Sequence, residues 1–395
     1  MRLLSPARLF LLLAGLSLAT YLAVSGWAAT LGYPLDDAWI HQTYARNLAW
    51  RGEFAFVPGQ PSAGSTAPLW SALLAVGYLV RLEPRLWTYG LGGLNLALTA
   101  WLTWRLVLDL WPERRLAALA AGAAVALEWH LAWAAVSGME TGLFAALALA
   151  AFVVPARRPA WLGVLVGVSV LVRPDGLTLL PFALARVLAG AFPNGPAGGW
   201  DLRRLRPGLA LLAGFAAVFG PYLVFNVLLA GSPWPNTFYA KQAEYAEMRD
   251  LPLLWRLGSV GLQPLIGAQL LAVPGLFLAG WEAVRGRRLA LALPGLWAGA
   301  CVAAYVLRLP VVYQYGRYVM PVIPVLVAVG VGGLGGRLRW GAARLGPRLF
   351  SRPWAAALGV LLVVFWGWGA LLYRRDVRII ESEMVAAARW INQNT

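Results

Sequence analysis

Apolar runs of membrane length, separated by short arginine-bearing turns, occupy this chain almost from end to end. A helix needs about 20 such residues to cross a hydrocarbon core of about 30 Å. The pattern predicts helices near 9–31, 86–106, 116–136, 141–156, 160–173, 176–190, 208–230, 262–284, 290–308, 318–336 and 354–373, about eleven crossings of an all-α architecture. The runs at 141–156, 160–173 and 176–190 are short, so the alternation of sides is better defined than their ends or their number. Pro68 to Val80 is apolar but too short to span, and a crossing there would invert every later loop, so it reads as an interfacial or re-entrant helix. The first run, Leu9 to Leu31, is too long for a cleaved leader and is followed by further spans, which makes it the first transmembrane helix.

The arginines orient these spans. With Arg2 and Arg8 before the first helix, Arg105/Arg114/Arg115, Arg157/Arg158, Arg203/Arg204/Arg206, Arg285/Arg287/Arg288 and Arg337/Arg339/Arg344/Arg348/Arg352 all fall on the side of the N-terminus. That is the positive-inside distribution, and it makes the N-terminal side cytoplasmic. The formal charge of +16 is therefore explained by membrane orientation, and nucleic acid is not an expected partner. A chain of 395 residues with 60% apolar and 13% charged residues is a polytopic membrane protein, not a water-soluble enzyme on one anchor. Cys301, the lone cysteine, sits in an apolar run and excludes an intrachain disulfide or a cysteine metal site.

The unusual polar residues gather on the opposite, external side. Asp36 and Asp37 open an amphipathic helix with Asp37, His41, Tyr44 and Leu48 on one stripe. One acid at that position serves as a helix cap; two beside a histidine point to a general base. Glu140, in the short turn Ser137 to Glu140, needs a partner at the membrane boundary, which a metal, an arginine or a substrate hydroxyl could supply. Arg173 and Asp175 in the turn RPDG read first as a local ion pair. Gly231 to Gln242 reads as a proline-rich turn into a helix capped by Asn236, carrying Lys241, either a point charge for phosphate or an interfacial snorkel. Tyr313 to Tyr318 combine Arg317 with tyrosines, suited to a phosphate, a sugar or an aromatic belt. Glu128 and His130 fall inside a span and read as a structural polar contact. Residues 190–208 read as a flexible cytoplasmic connector, with no internal repeat or separate soluble domain.

In order, LDDAWIHQTYARNLA, GEFAFVPG, SAGSTAPLW, SGMET, RPDG, GSPWPNTFYAK and YGRYVMPVIP resemble the polytopic glycosyltransferases of the GT-C superfamily, most of all the arabinofuranosyltransferases that use decaprenyl-phosphate arabinose. The resemblance implies a transmembrane catalytic domain over 1–373, with interfacial helices in a first extracytoplasmic loop at 32–85 and an extracytoplasmic tail at 374–395 where relatives continue into a soluble domain. It implies transfer of one sugar, with inversion, from a polyprenyl-phosphate donor to an extracytoplasmic glycan, lipid or protein. Carried over by motif, Asp36 is the leading base and Asp37 assists it or binds sugar. Lys241, Arg173 and Arg317 would hold the donor phosphate; His41, Tyr44, Glu140, Asp175, Asn236, Tyr239 and Tyr315 would contact sugar or acceptor. A divalent metal on Asp37 and Glu140 stays open, as does the donor sugar, since His41 and Gln42 depart from the arabinofuranosyltransferase pattern. The alternatives are a lipid-linked-sugar flippase, which would concentrate polar groups at the membrane midplane, and an oligosaccharide ligase.

Overall fold

The computed structural model describes residues 5–26, 31–191, 202–345 and 351–394. Arg2, Arg348 and the centre of the 190–208 connector lie outside them. Each apolar run expected to span forms helix, and six are long and apolar enough to cross a bilayer: Pro6–Gly26, Pro84–Leu110, Arg206–Ala230, Leu289–Arg308, Tyr313–Gly335 and Pro353–Asn394. Two helix pairs bent at a break, Arg115–Ala126 with Trp129–Val136 (48°) and Leu253–Leu265 with Ala268–Arg285 (93°), are each apolar enough to form either a broken span or a re-entrant loop. Length and composition thus support six to eight spans. The remaining three expected spans are helices of 13 or 14 residues, Thr141–Val153, Pro159–Val172 and Leu179–Ala191. At 1.5 Å per residue they reach only about 20 Å, short of the hydrocarbon thickness.

Small residues set how closely these helices approach. Gly163 and Gly167, four apart, face Arg206–Ala230, where a Cβ on Gly163 would strike the Leu211 carbonyl and one on Gly214 the Ala160 carbonyl. Without water to drive apolar association, such backbone contact is the main source of packing energy in a bilayer. Indole rings fill the wider gaps, with Trp70, Trp111, Trp133 and Trp297 fully buried. The last span runs on without interruption through a π-helical turn, Glu381–Val385, into Ala386–Asn394.

The loop after the first helix carries the helix Asp37–Arg51, closed by Gly52 in the left-handed region, then a small antiparallel pairing of Ala55–Val57 with Gln60–Pro61. This hairpin is the one departure from an all-helical reading among the described residues. The helix Pro68–Leu79 follows and packs on Asp37–Arg51, as expected of an interfacial element. The indole N–H of Trp70 donates to the Gly138 carbonyl at 2.9 Å, fastening this layer to the turn that presents Glu140.

Enlarging Gly163 therefore forces two helices apart. Gly163→Leu is expected to cost about 1–3 kcal/mol and lower the melting temperature in detergent, whereas Gly220→Ala, whose new Cβ meets nothing within 4 Å, should leave it unchanged or slightly higher.

Candidate functional site

One cavity of about 460 Å³ collects residues from seven stretches of sequence: the helix Asp37–Arg51, the segment Gly64 to Thr66, the turn ending at Glu140, the RPDG turn, the end of the helix Leu289–Arg308, and two pieces carrying Lys241 and Arg317. Seven of the expected site residues line it: Asp37, His41, Glu140, Arg173, Asp175, Lys241 and Arg317. Leu177, Trp234, Phe238, Cys301, Ala304 and Leu309 give it an apolar wall.

The charged groups sort into two poles. At the first, Arg317 places Nη2 on Asp37 Oδ2, and Lys241 Nζ lies 3.9 Å from the same oxygen. Burial opposes ionisation of Asp37, but the two cations outweigh it and hold its carboxyl below the ordinary range. Arg317 is almost fully buried, and its Nη1 has no hydrogen-bond partner. It is delivered by a tight turn in which Gln314, Tyr315 and Gly316 all adopt left-handed φ (53°, 60° and 66°), backbone that costs energy at the first two. Lys241 is brought in by the helix Asn236–Glu244, which is tied down where Asn236 N–H donates to the Ala63 carbonyl and Thr237 Oγ1 to the Gly64 carbonyl, both at 3.0 Å.

At the second pole each nitrogen of Arg173 has a partner. Its Nε reaches Asp175 at 3.1 Å, Nη1 reaches Glu140 Oε1 at 3.3 Å and Nη2 donates to the Tyr305 hydroxyl at 3.0 Å. The local Arg173–Asp175 pair expected of the RPDG turn is present, and an arginine is the partner that Glu140 required. Burial raises the cost of ionising Glu140, yet His41 and Arg173 bring its pKa down to about 2. His41 Nε2 lies 3.5 Å from Glu140 Oε2, while Nδ1 faces Ser71 Oγ at 3.2 Å and Ser65 Oγ at 3.3 Å. Between the poles stands Tyr318, stacked on Tyr305, with the cationic groups of Arg173, Arg317 and Lys241 each within 6 Å of its ring centre.

Five expected residues lie elsewhere. Asp36 is exposed and accepts from the Asp37 amide at 3.0 Å, so the capping role goes to Asp36 and the cavity position to Asp37. Tyr44 is buried behind the wall, bonded to Ser62 Oγ at 2.7 Å and accepting from Gly64 N–H. Asn236 is the first residue of its helix and gives no side-chain cap; Pro235 holds the cap position. Tyr239 points to the surface. Tyr315 donates to Asp376 at 2.7 Å and packs on Trp129 and Trp133. Tyr318 belongs to the Tyr313 to Tyr318 segment already read as suited to a phosphate or sugar, whereas Ser65, within SAGST, and Tyr305 were not expected as site residues, and nothing in the sequence singled out Tyr305. The two carboxylates considered for a metal, Asp37 and Glu140, are each occupied by an arginine, and no cluster of three His, Cys, Asp or Glu suited to a metal occurs among the described residues. The residues present therefore do not fit a metal centre.

Neither a protein-family model nor a curated sequence is matched by the chain. Solved structures are. ArnT from Cupriavidus metallidurans bound to undecaprenyl phosphate is similar over 97% of this chain and 80% of its own, with a TM-score of 0.62 at 15% identity. An Archaeoglobus fulgidus oligosaccharyltransferase tethered to an acceptor peptide is similar over 93% of this chain and 55% of its own (TM-score 0.56, 13% identity). The same archaeal oligosaccharyltransferase, AglB, with an inhibitory peptide and dolichol phosphate scores 0.54 at 13% identity. The likeness establishes a shared polytopic membrane fold; the chain spans about half the length of the archaeal enzyme.

Because Asp37 and Glu140 are held below their ordinary values, the unfolded chain takes up protons before the native one as pH falls. Their stabilisation is complete above about pH 5 and is lost for Glu140 between its ordinary 4.5 and about 2. Melting temperature should be flat down to about pH 5 and then fall, with a shallower acid limb in Glu140→Gln; an equally steep limb in that variant would refute the assignment.

Proposed function

We propose that the protein is a membrane glycosyltransferase that moves one sugar from a polyprenyl-phosphate donor to an acceptor, with Asp37 as general base. The observation that carries this reading is the buried, unpartnered Nη1 of Arg317, set beside Lys241 in a cavity with an apolar wall. A buried N–H without an acceptor costs about 1–3 kcal/mol, which a phosphate oxygen would recover. The wall suits the first isoprene units. Supporting analogies are the undecaprenyl phosphate in ArnT and the dolichol phosphate in AglB, together with the ordered motifs that resemble GT-C arabinofuranosyltransferases. The positive-inside distribution supports an extracytoplasmic position for this cavity.

Charge matches a single phosphate. Arg317, Lys241 and Asp37 sum to +1, which balances the one negative charge of a sugar phosphodiester. As the glycosidic bond breaks, charge grows on the phosphate where both cations wait, while the acceptor proton passes to Asp37. Attack from the opposite face of the sugar gives inversion. Arg173, each of whose nitrogens already holds a partner within the protein, is assigned to shaping the site rather than to the phosphate.

One feature favours the flippase: Glu128 and His130 form a buried pair at 2.7 Å beside one helix break, and Gln269 reaches Glu128 from the other, an arrangement familiar at transporter midplanes. The two readings part on chemistry. The reconstituted protein should release free polyprenyl phosphate from at least one of a panel of polyprenyl-phosphate sugars given a mixed glycan acceptor, with a product longer by one residue. Asp37→Asn should slow release by about a hundredfold or more, Arg317→Ala should weaken donor binding, and Asp36→Asn should retain activity. Transfer should persist in EDTA, since the carboxylates take their counter-ions from arginine. Sugar crossing the bilayer without any bond cleavage would establish the flippase instead.

A further inference from the structure

The second pole of the cavity has a different chemistry from the first. Glu140, Arg173 and Asp175 sum to −1. Glu140 lines the cavity, and its Oε2 is buried with no hydrogen-bond partner, the nearest donor being His41 Nε2 at 3.5 Å. With Nε2–H directed to that carboxylate, His41 Nδ1 is left to accept a hydrogen bond from the hydroxyl of Ser65 or Ser71. Ser65 Oγ is joined to Ser71 Oγ at 3.2 Å and lines the cavity.

We propose that Ser65 and Glu140, with His41 as the positioning residue between them, bind a neutral hydroxyl-bearing acceptor, the alcohol of a sugar. This rests on the transferase reading above. Two properties of the pole select that class. Its two carboxylates outnumber Arg173, each of whose nitrogens already holds a partner, which disfavours a phosphate or carboxylate group at the position where the acceptor must sit. Its hydrogen-bonding groups are an acceptor-only carboxylate oxygen next to a serine hydroxyl that both donates and accepts, which is the complement of neighbouring alcohols on a sugar ring. In the transfer the acceptor oxygen forms its bond to the anomeric carbon, the bond from that carbon to the phosphate oxygen breaks with its electron pair going to phosphate, and the acceptor proton goes to Asp37. Ser65 and Glu140 hold the acceptor during this exchange and are unchanged by it.

The test uses the full chain in nanodiscs, polyprenyl-phosphate sugars as donors, and octyl glycosides or octyl phosphate as acceptor probes. Octyl glycosides should accept sugar and octyl phosphate should not. Ser65→Ala should raise the KM for the glycoside about tenfold with donor KM near wild type, and Ser65→Thr, which keeps the hydroxyl, should restore it. His41→Gln should move acceptor KM in the same direction while polyprenyl-phosphate binding persists. Octyl phosphate accepted as readily as the glycosides, or an acceptor KM indifferent to Ser65→Ala, would overturn the proposal. Release of polyprenyl phosphate to water, measured without acceptor, separates the two levels. If it depends on Arg317 while acceptor KM ignores Ser65, the hydroxyl site alone is wrong; if no donor is cleaved at all, the transferase reading falls and this inference with it.

Discussion

A charge buried among apolar side chains has to find its counter-ion within the protein, and the site depends on two solutions to that requirement. Asp37 meets Arg317 across 280 residues of sequence, and Arg173 is held between Glu140 and Asp175. Removing one member of such a pair strands the other, a loss of about 3–5 kcal/mol in buried settings. These contacts therefore fix the relative positions of the first loop, the Glu140 turn, the RPDG turn and the segment entering the span at Tyr313. The cavity is the space they leave between them, and its polarity is set by which carboxylate each arginine takes.

The surrounding bundle supplies rigidity through close backbone contact, as at Gly163 and Gly214, and through indoles that bridge layers. Trp70 ties the interfacial helix to Gly138, and Tyr373 donates to the Gly32 carbonyl at 3.0 Å, so the last span braces the loop that begins the site. Both bent helix pairs break where polar side chains can satisfy the exposed backbone. Glu128 accepts from the Leu131 amide at 2.9 Å and Trp129 donates to the Ile266 carbonyl at 2.7 Å. Broken helices at membrane depth are tolerated only where the freed backbone groups find such partners inside protein.

Periodicity and arginine placement were enough to read every apolar run as helix, to keep Pro68–Leu79 out of the span count and to gather the polar residues on one face. They could not decide the number of crossings, because helices of 13 or 14 residues fall between a span and a packed core element. Within the site, adjacent acids look alike in sequence; only the fold shows that Asp36 turns outward to cap the helix while Asp37 turns inward to an arginine 280 positions away. Tyr315 looked like a sugar ligand beside Arg317, but the left-handed turn that aims Arg317 inward sends Tyr315 to Asp376. Ser65 was invisible because a serine in a short loop acquires meaning only from the histidine it meets, and Tyr305 because a tyrosine in a span reads as packing.

The charges at the first pole also suit the product of the proposed reaction. Before transfer, Asp37 leaves the pole at +1, opposite a phosphodiester of one negative charge. Afterwards the leaving polyprenyl phosphate carries between about 1.5 and 2 negative charges near neutral pH, and Asp37, having received the acceptor proton, no longer cancels Arg317 or Lys241. The pole has risen to +2 as its ligand approaches −2. In a site shielded from water, uncompensated charge in the transition state would be costly. Coupling proton capture by Asp37 to charge growth on the phosphate removes that cost, and it requires both cations to contact the same carboxylate, as Arg317 and Lys241 do here. The low basicity imposed on Asp37 by these cations is then confined to the empty site: a bound phosphate competes for Arg317 and Lys241, weakens their hold on the carboxylate, and makes the base stronger once the donor is in place.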